Sequence, residues 1–211
     1  MLKTQNLIIF FLMIVFVNPQ KALEVDDVEG KIKGLFTSFT ANFSYSSTVG
    51  DKNGESVDLY TGKIYYQYPN KLNIQISDGR VIATNGKYLW VYNPDTKICG
   101  RQAVKEENIG GLFYFLHGGY SVQEDNGRYI FQRPGSALGE VTLKVDGDIL
   151  KSVQFKIKDN VNKIDTVINA SFSNVVTDTN IKASLFNYKP DPDAQLIENP
   201  LNRVANGFIQ K

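Results

Sequence analysis

The chain is poor in the residues that most chemistry requires. Its 211 residues include one His, one Cys, one Trp and two Met. A lone histidine, His117, cannot build a multi-histidine metal site, and no acid stands at a helpful spacing from it. A lone cysteine, Cys99, excludes an internal disulfide. Arg101, two residues on, would favour a thiolate there. No Cys–His signature accompanies the pair, so Cys99 is expected to be a buried, small apolar residue. Asp191-Pro192-Asp193 lacks the repeated acidic spacing of a calcium loop and is expected to be a solvated turn. The pairs Gly110-Gly111 and Gly118-Gly119 do not make a phosphate-binding fingerprint. Asn42-Phe43-Ser44 and Asn169-Ala170-Ser171 match a short glycosylation sequon, but both fall inside expected strands. These shortages predict a protein that is not an enzyme, with no catalytic residue, no metal and no cofactor.

An excess of charge is missing too. There are 23 Lys and Arg against 22 Asp and Glu. The first 22 residues hold two lysines and no acid, so the remainder carries 21 against 22, or −1. Such balance gives no electrostatic reason to bind nucleic acid or an anionic membrane surface.

Long hydrophobic runs are limited to one. Leu7 to Val17 is unbroken apolar sequence of eleven residues, preceded by Lys3 and followed by Asn18-Pro19-Gln20-Lys21-Ala22. A membrane span needs about 20 such residues, so the run is expected to be a signal peptide over 1–22, cleaved after Ala22. Gln20 is not the small residue usual before a cleavage site, and the alternative is an uncleaved anchor. No cysteine follows the run to accept a lipid. The expectation is a soluble, monomeric protein exported to the periplasm, with a domain over 23–192 and a polar tail over 193–211.

What is abundant is aromatic and alternating. Eleven Tyr and thirteen Phe suit a pleated, half-buried surface. Val25, Val28, Ile32, Leu35 and Phe36 fit one amphipathic helix over Val25–Phe39. The period then changes to two. Phe39, Ala41, Phe43 and Tyr45 alternate with polar residues, as do Leu72, Ile74 and Ile76, and later Val141, Leu143 and Val145. Asp78-Gly79, Asn85-Gly86, Asn93-Pro94-Asp95 and Asp146-Gly147-Asp148 punctuate these runs. Between them, Glu106 to Tyr120 is short, apolar and bracketed by glycine pairs, which suggests a small helical lid.

About nine or ten close-set strands, apolar on one face, predict a mainly β fold. It would be a single curved antiparallel sheet, an incomplete open barrel, with an N-terminal helix and the short helical lid over an apolar cavity. Such a cavity is a hydrophobic ligand site by default.

Two blocks point to a family. Gly62-Lys63-Ile64-Tyr65-Tyr66-Gln67-Tyr68-Pro69-Asn70-Lys71-Leu72-Asn73-Ile74 is a glycine-led strand, a proline turn and a second strand. Thr84-Asn85-Gly86-Lys87-Tyr88-Leu89-Trp90-Val91-Tyr92-Asn93-Pro94 is the more specific block. In this order, from about residue 25 to 192, they resemble the LolA family of outer-membrane lipoprotein carriers. The resemblance implies an open barrel that accepts acylated lipoproteins from an inner-membrane ABC transporter of the lipoprotein-sorting type. It would carry them across the periplasm, possible partners including an outer-membrane lipoprotein receptor. The acyl-binding cavity would then draw on Phe43, Leu59, Tyr66, Leu72, Ile74, Ile76, Trp90, Tyr92, Leu112, Phe113, Phe115, Leu116 and Phe131. Leu72 matches a family position near the cavity mouth, and Leu72→Glu is expected to block transfer without unfolding the chain. Tyr68 stands where the family often has an Arg that latches the lid. With one hydroxyl and no charge, Tyr68 does not inherit that role. Two other readings use the same half-barrel: a sensor of envelope stress, and a carrier of glycolipid.

Overall fold

Alternation becomes strand throughout the structure. The computed structural model describes residues 37–50, 55–104, 121–133, 138–159, 164–177 and 179–200. They form β1 (Ser38–Gly50), β2 (Glu55–Gln67), β3 (Lys71–Ile76), β4 (Val81–Thr84), β5 (Tyr88–Asn93) and β6 (Ile98–Ala103). The second half supplies β7 (Ser121–Asp125), β8 (Arg128–Gln132), β9 (Leu138–Asp146), β10 (Ile149–Asp159), β11 (Ile164–Thr177) and β12 (Gln195–Glu198). The helical element that lies wholly within the described residues is a single 3-10 turn at Ala183–Leu185.

All twelve strands belong to one sheet, in the order β12-β6-β5-β4-β3-β2-β1-β11-β10-β9-β8-β7. Two meanders, β1 to β6 and β7 to β11, meet where β1 pairs antiparallel with β11 along their length, from Phe39–Thr177 to Gly50–Asp165. The order has two ends, so the sheet is unclosed, and consecutive strands β6 and β7 lie near opposite edges. Inward residues of nine strands, from Leu89 on β5 through Phe43 on β1 to Phe131 on β8, share one buried cluster. A sheet whose far-apart strands share one core has to curve around it, and this sheet does.

Several expectations need correcting. The sheet has twelve strands rather than nine or ten. Its pairing is antiparallel except at β12, which lies parallel to β6, from Gln195–Ile98 to Glu198–Arg101. The polar segment after residue 192 therefore does contribute to the sheet. Of the expected N-terminal helix, residues 25–36 lie outside the described residues, while Phe39, at its end, is already in β1 and 1% exposed. The expected lid at 106–120, with Leu112, Phe113, Phe115, Leu116 and His117, also lies outside them. The signal peptide over 1–22 does too.

The glycine turns form for local reasons. Gly79, Gly86 and Gly147 have φ of 90°, 90° and 57°, a region that side-chain-bearing residues rarely enter. Gly62 differs, because it is required for space. A Cβ there would lie 2.1 Å from the Gln75 carbonyl oxygen and 2.8 Å from Cε1 of Phe43.

Candidate functional site

Strand parity builds the concave face. On β1 it presents Phe39, Ala41, Phe43 and Tyr45; on β2, Ile64 and Tyr66; on β3, Leu72, Ile74 and Ile76. From the other meander come Tyr129, Phe131, Val141, Leu143, Val153 and Phe155. Each large side chain withdrawn from water here contributes roughly 1.5–3 kcal/mol. The rings of Phe39 and Tyr66 lie 5.5 Å apart, and Phe39 meets Phe172 edge-on at 6.3 Å. Burial raises the Tyr66 hydroxyl pKa well above its usual range, so this group stays protonated. The described residues of this face are closely packed and buried, and few of them could act as acid, base or nucleophile.

Of the residues expected at the cavity, Phe43, Tyr66, Leu72, Ile74, Ile76 and Phe131 are brought together on this face. Leu59 is not. It is 69% exposed, because Tyr60, Ile64 and Tyr66 point inward and an odd-numbered residue of β2 points out. Trp90 and Tyr92 are not there either. They lie in a separate cluster with Ala83 and Cys99, on the opposite face of β4 to β6. On β5 it is Leu89 and Val91 that join the main core. Leu72 is 4% exposed, so a glutamate there would bury a carboxylate, and Leu72→Glu would disturb folding before it tested transfer.

The outer cluster is covered by the C-terminal segment. Tyr188 and Ala194 pack on it, and Tyr92 and Tyr188 have ring centroids 5.9 Å apart. The Tyr92 hydroxyl donates to Asp191 at 3.1 Å, and Lys97 pairs with Asp193. Arg101 pairs with Glu198 at 2.5 Å, and Asn199 Oδ1 accepts from the Ala103 N–H at 3.0 Å. Asn73, 3% exposed, donates to the Leu185 carbonyl from the outer side of β3. Cys99 is fully buried under this cover, and burial pushes its thiol up to about 11. That is the pKa of an inert thiol, in line with the apolar role expected for it.

Two polar features interrupt this pattern. At the β3–β4 end of the concave face, Arg80 shares the parity of Ile82 and reaches back over β2. Its guanidinium carbon lies 4.3 Å from the Tyr60 ring centroid, and Tyr60 stacks on Tyr45 with centroids 6.0 Å apart. Asp78 fixes the guanidinium, accepting from Nε at 2.7 Å and pairing with Nη2 at 2.5 Å. Burial alone would raise the Asp78 pKa, but the hydrogen bonds and charge of Arg80 outweigh it and hold the carboxyl below its usual value. Ser47, one inward position beyond Tyr45, is 0% exposed and its hydroxyl has no hydrogen-bond partner. Sequence reasoning passed over Arg80, Tyr60, Tyr45 and Ser47 as site residues. Parity was the available signal, since 45 and 47 continue 39, 41 and 43, and 80 precedes 82 on the same face.

The second feature is a groove of about 800 Å³ across β11, β1, β2 and β3. Ser171, Ser44, Thr61 and Ser77 line one side, and Ser173, Asn42, Lys63 and Gln75 the other. Thr61 and Ser77 join their hydroxyls at 2.7 Å. Phe43, Gly62, Ile76 and Phe172 complete the lining, which is mixed rather than apolar. Tyr68, the departure from the latch pattern, is 51% exposed on the β2–β3 turn, before a cis Pro69. Its N–H donates to the Thr37 carbonyl at 2.8 Å.

An unclosed β-sheet with one continuous apolar concave face defines a class of binding protein. The family model of the outer membrane lipoprotein carrier protein LolA matches residues 35–189, and the chain belongs to that family. Among solved structures, an uncharacterized conserved protein from Thermus thermophilus is 9% identical with a TM-score of 0.52, over 82% of this chain and 97% of that one. A LolA superfamily protein from Nitrosomonas europaea is 14% identical with a TM-score of 0.43, over 78% of this chain and 97% of that one. A putative outer membrane lipoprotein-sorting protein domain from Vibrio parahaemolyticus is 11% identical with a TM-score of 0.37, over 76% of this chain and 94% of that one. At these identities the likeness to the Thermus protein is one of fold. No curated protein matches the chain in sequence.

Proposed function

We propose that this protein is a periplasmic carrier that binds the acyl chains of lipoproteins released from the inner membrane and delivers them towards the outer membrane. The observation that carries the reading is the unclosed sheet with a continuous apolar concave face, in a chain of the LolA family. Leaving an acyl chain in water costs about 0.8 kcal/mol per methylene, so ten exposed methylenes cost on the order of 8 kcal/mol. A carrier has to offset most of that and still release its cargo. An apolar face of aromatic and aliphatic side chains does so without directional bonds to break. Phe43, Tyr66, Leu72, Ile74, Ile76 and Phe131 are the contact residues in this reading. Its donor is an inner-membrane ABC transporter of the lipoprotein-sorting type, and its acceptor an outer-membrane lipoprotein receptor.

The test is to isolate the mature protein from the periplasm of an expressing bacterium and identify what accompanies it by mass spectrometry. Acylated lipoprotein in stoichiometric amount is expected. Glycolipid alone, or a protein that stays empty while lipoproteins reach the outer membrane without it, overturns the reading.

A further inference from the structure

The concave face is apolar along β1 from Phe39 to Phe43 and then changes character. Beside the stacked rings of Tyr45 and Tyr60, Arg80 and Ser47 place a guanidinium and a hydroxyl at one end of it. We propose that this end is a head site, which donates hydrogen bonds to the ester and amide carbonyls where acyl chains join their polar head. The inference rests on the acyl-carrier reading above and adds an orientation to it: chains along Phe43, Ile64 and Ile74, linkages at Arg80 and Ser47.

Three observations converge. The Ser47 hydroxyl is wholly buried and makes no hydrogen bond, a cost that a fold does not need to carry, since alanine would fit the same place. Arg80 is a charged residue turned onto this face, with a side chain 12% exposed, and the Tyr60 ring and the Asp78 carboxylate hold its orientation. A guanidinium has five N–H donors; Asp78 takes those of Nε and one Nη2 hydrogen and the Tyr60 hydroxyl accepts a further one, so two remain for a ligand. The charge state selects among ligands. Arg80 and Asp78 form a neutral pair, so a phosphate would gain from Arg80 and lose to Asp78 nearby. Uncharged carbonyl oxygens take the remaining donors without that opposition.

The test compares a short-chain diacylglycerol with the dialkyl ether of the same chain length, binding each to the mature protein by titration calorimetry. The ether keeps the chains and lacks the carbonyls. The ester is expected to bind roughly tenfold more tightly, the equivalent of one well-made buried hydrogen bond. Ser47→Ala is expected to weaken ester binding, leave ether binding unchanged, and keep or raise the thermal midpoint of the empty protein. Equal binding of ester and ether by the parent protein overturns the head site while the carrier reading stands. So does a Ser47→Ala protein with an unchanged ester-to-ether ratio. Binding of neither ligand overturns both.

Discussion

Gly62→Ala tests the packing that shapes the concave face. The added Cβ would stand 2.1 Å from the Gln75 carbonyl oxygen, 3.0 Å from its carbon and 2.8 Å from Cε1 of Phe43. Phe43 is 6% exposed and could shift only into its packed neighbours. The carbonyl belongs to β3, paired with β2 through Gly62–Ile76 and Lys63–Gln75, so no side-chain rotation removes the overlap. The two strands would have to part locally. Overpacking of this kind costs about 1–3 kcal/mol, and weakening one or two ladder hydrogen bonds adds about 1–2 kcal/mol. Against this, alanine restricts the unfolded chain and returns about 0.4–1 kcal/mol. The net loss is roughly 2–4 kcal/mol, a large part of an ordinary domain's stability. Trp90 is the sole tryptophan and is buried, so denaturant unfolding followed by its fluorescence gives the measurement. Gly147→Ala is the control, since nothing lies within 4 Å of its Cβ and only its φ of 57° is strained. If Gly62→Ala loses no more than Gly147→Ala, the close approach of Phe43 and β3 to Gly62 is not as described.

Other expectations follow from where each side chain points. Leu59→Ser, at an outer position 69% exposed, should change stability by less than about 0.5 kcal/mol and leave lipid binding intact, as denaturation and titration would report. Ile74→Ala, in the main core at 0% exposure, should cost about 2–5 kcal/mol in the same assay. Cys99 should resist thiol reagents in the native protein at pH 8 and react on unfolding. Its folded pKa, raised by burial from 9.0 to about 11, means the native state keeps a proton that the unfolded chain releases. The resulting stability is full below pH 9.0 and is lost as pH rises towards about 11, a decline that Cys99→Ala should reduce. Asp78 has the opposite sign: its pKa is lowered in the fold, so its contribution is present above 3.8 and lost as pH falls further. Asp78→Asn should flatten the acid limb of a stability–pH curve.

The strands that sequence made legible are those whose residues alternate between apolar and polar types. β3, β9 and β10 alternate cleanly, and Asp78-Gly79 and Asp146-Gly147 mark where they turn. β6, β7 and β12 escaped for identifiable reasons. β6, Ile-Cys-Gly-Arg-Gln-Ala, buries Cys99 and Gln102 and shows no simple alternation. β7, Ser-Val-Gln-Glu-Asp, is an edge strand with mostly exposed side chains, so nothing apolar announces it. β12 depends on β6 for its pairing, through a contact some hundred residues away. The misplacement of Trp90 and Tyr92 has the same root. A period of two says which residues share a face, and does not say which face is the concave one when both are buried. β5 reads Tyr-Leu-Trp-Val-Tyr-Asn, apolar on both sides, and only the C-terminal cover decides that Leu89 and Val91 face in.

That cover bears on how a carrier of this form could be stable. A protein that fills its own concave face with side chains gains stability and loses room for a ligand. Apolar area buried on the outer face raises no such conflict. Here Ala83, Trp90, Tyr92 and Cys99 are withdrawn from water behind β4 to β6, under a segment tied by a parallel strand and by Asp191, Asp193 and Glu198. Burying an indole and a phenol there is worth several kcal/mol, roughly the cost of removing either in a core, which is about 3–5 kcal/mol. Stability drawn from that side does not depend on whether the concave face holds an acyl chain. Trp90→Ala should therefore destabilise the empty and the lipid-bound protein by the same amount, leaving the intrinsic affinity unchanged. A fall in affinity that exceeds the fraction unfolded would mean that the two faces of β5 are coupled.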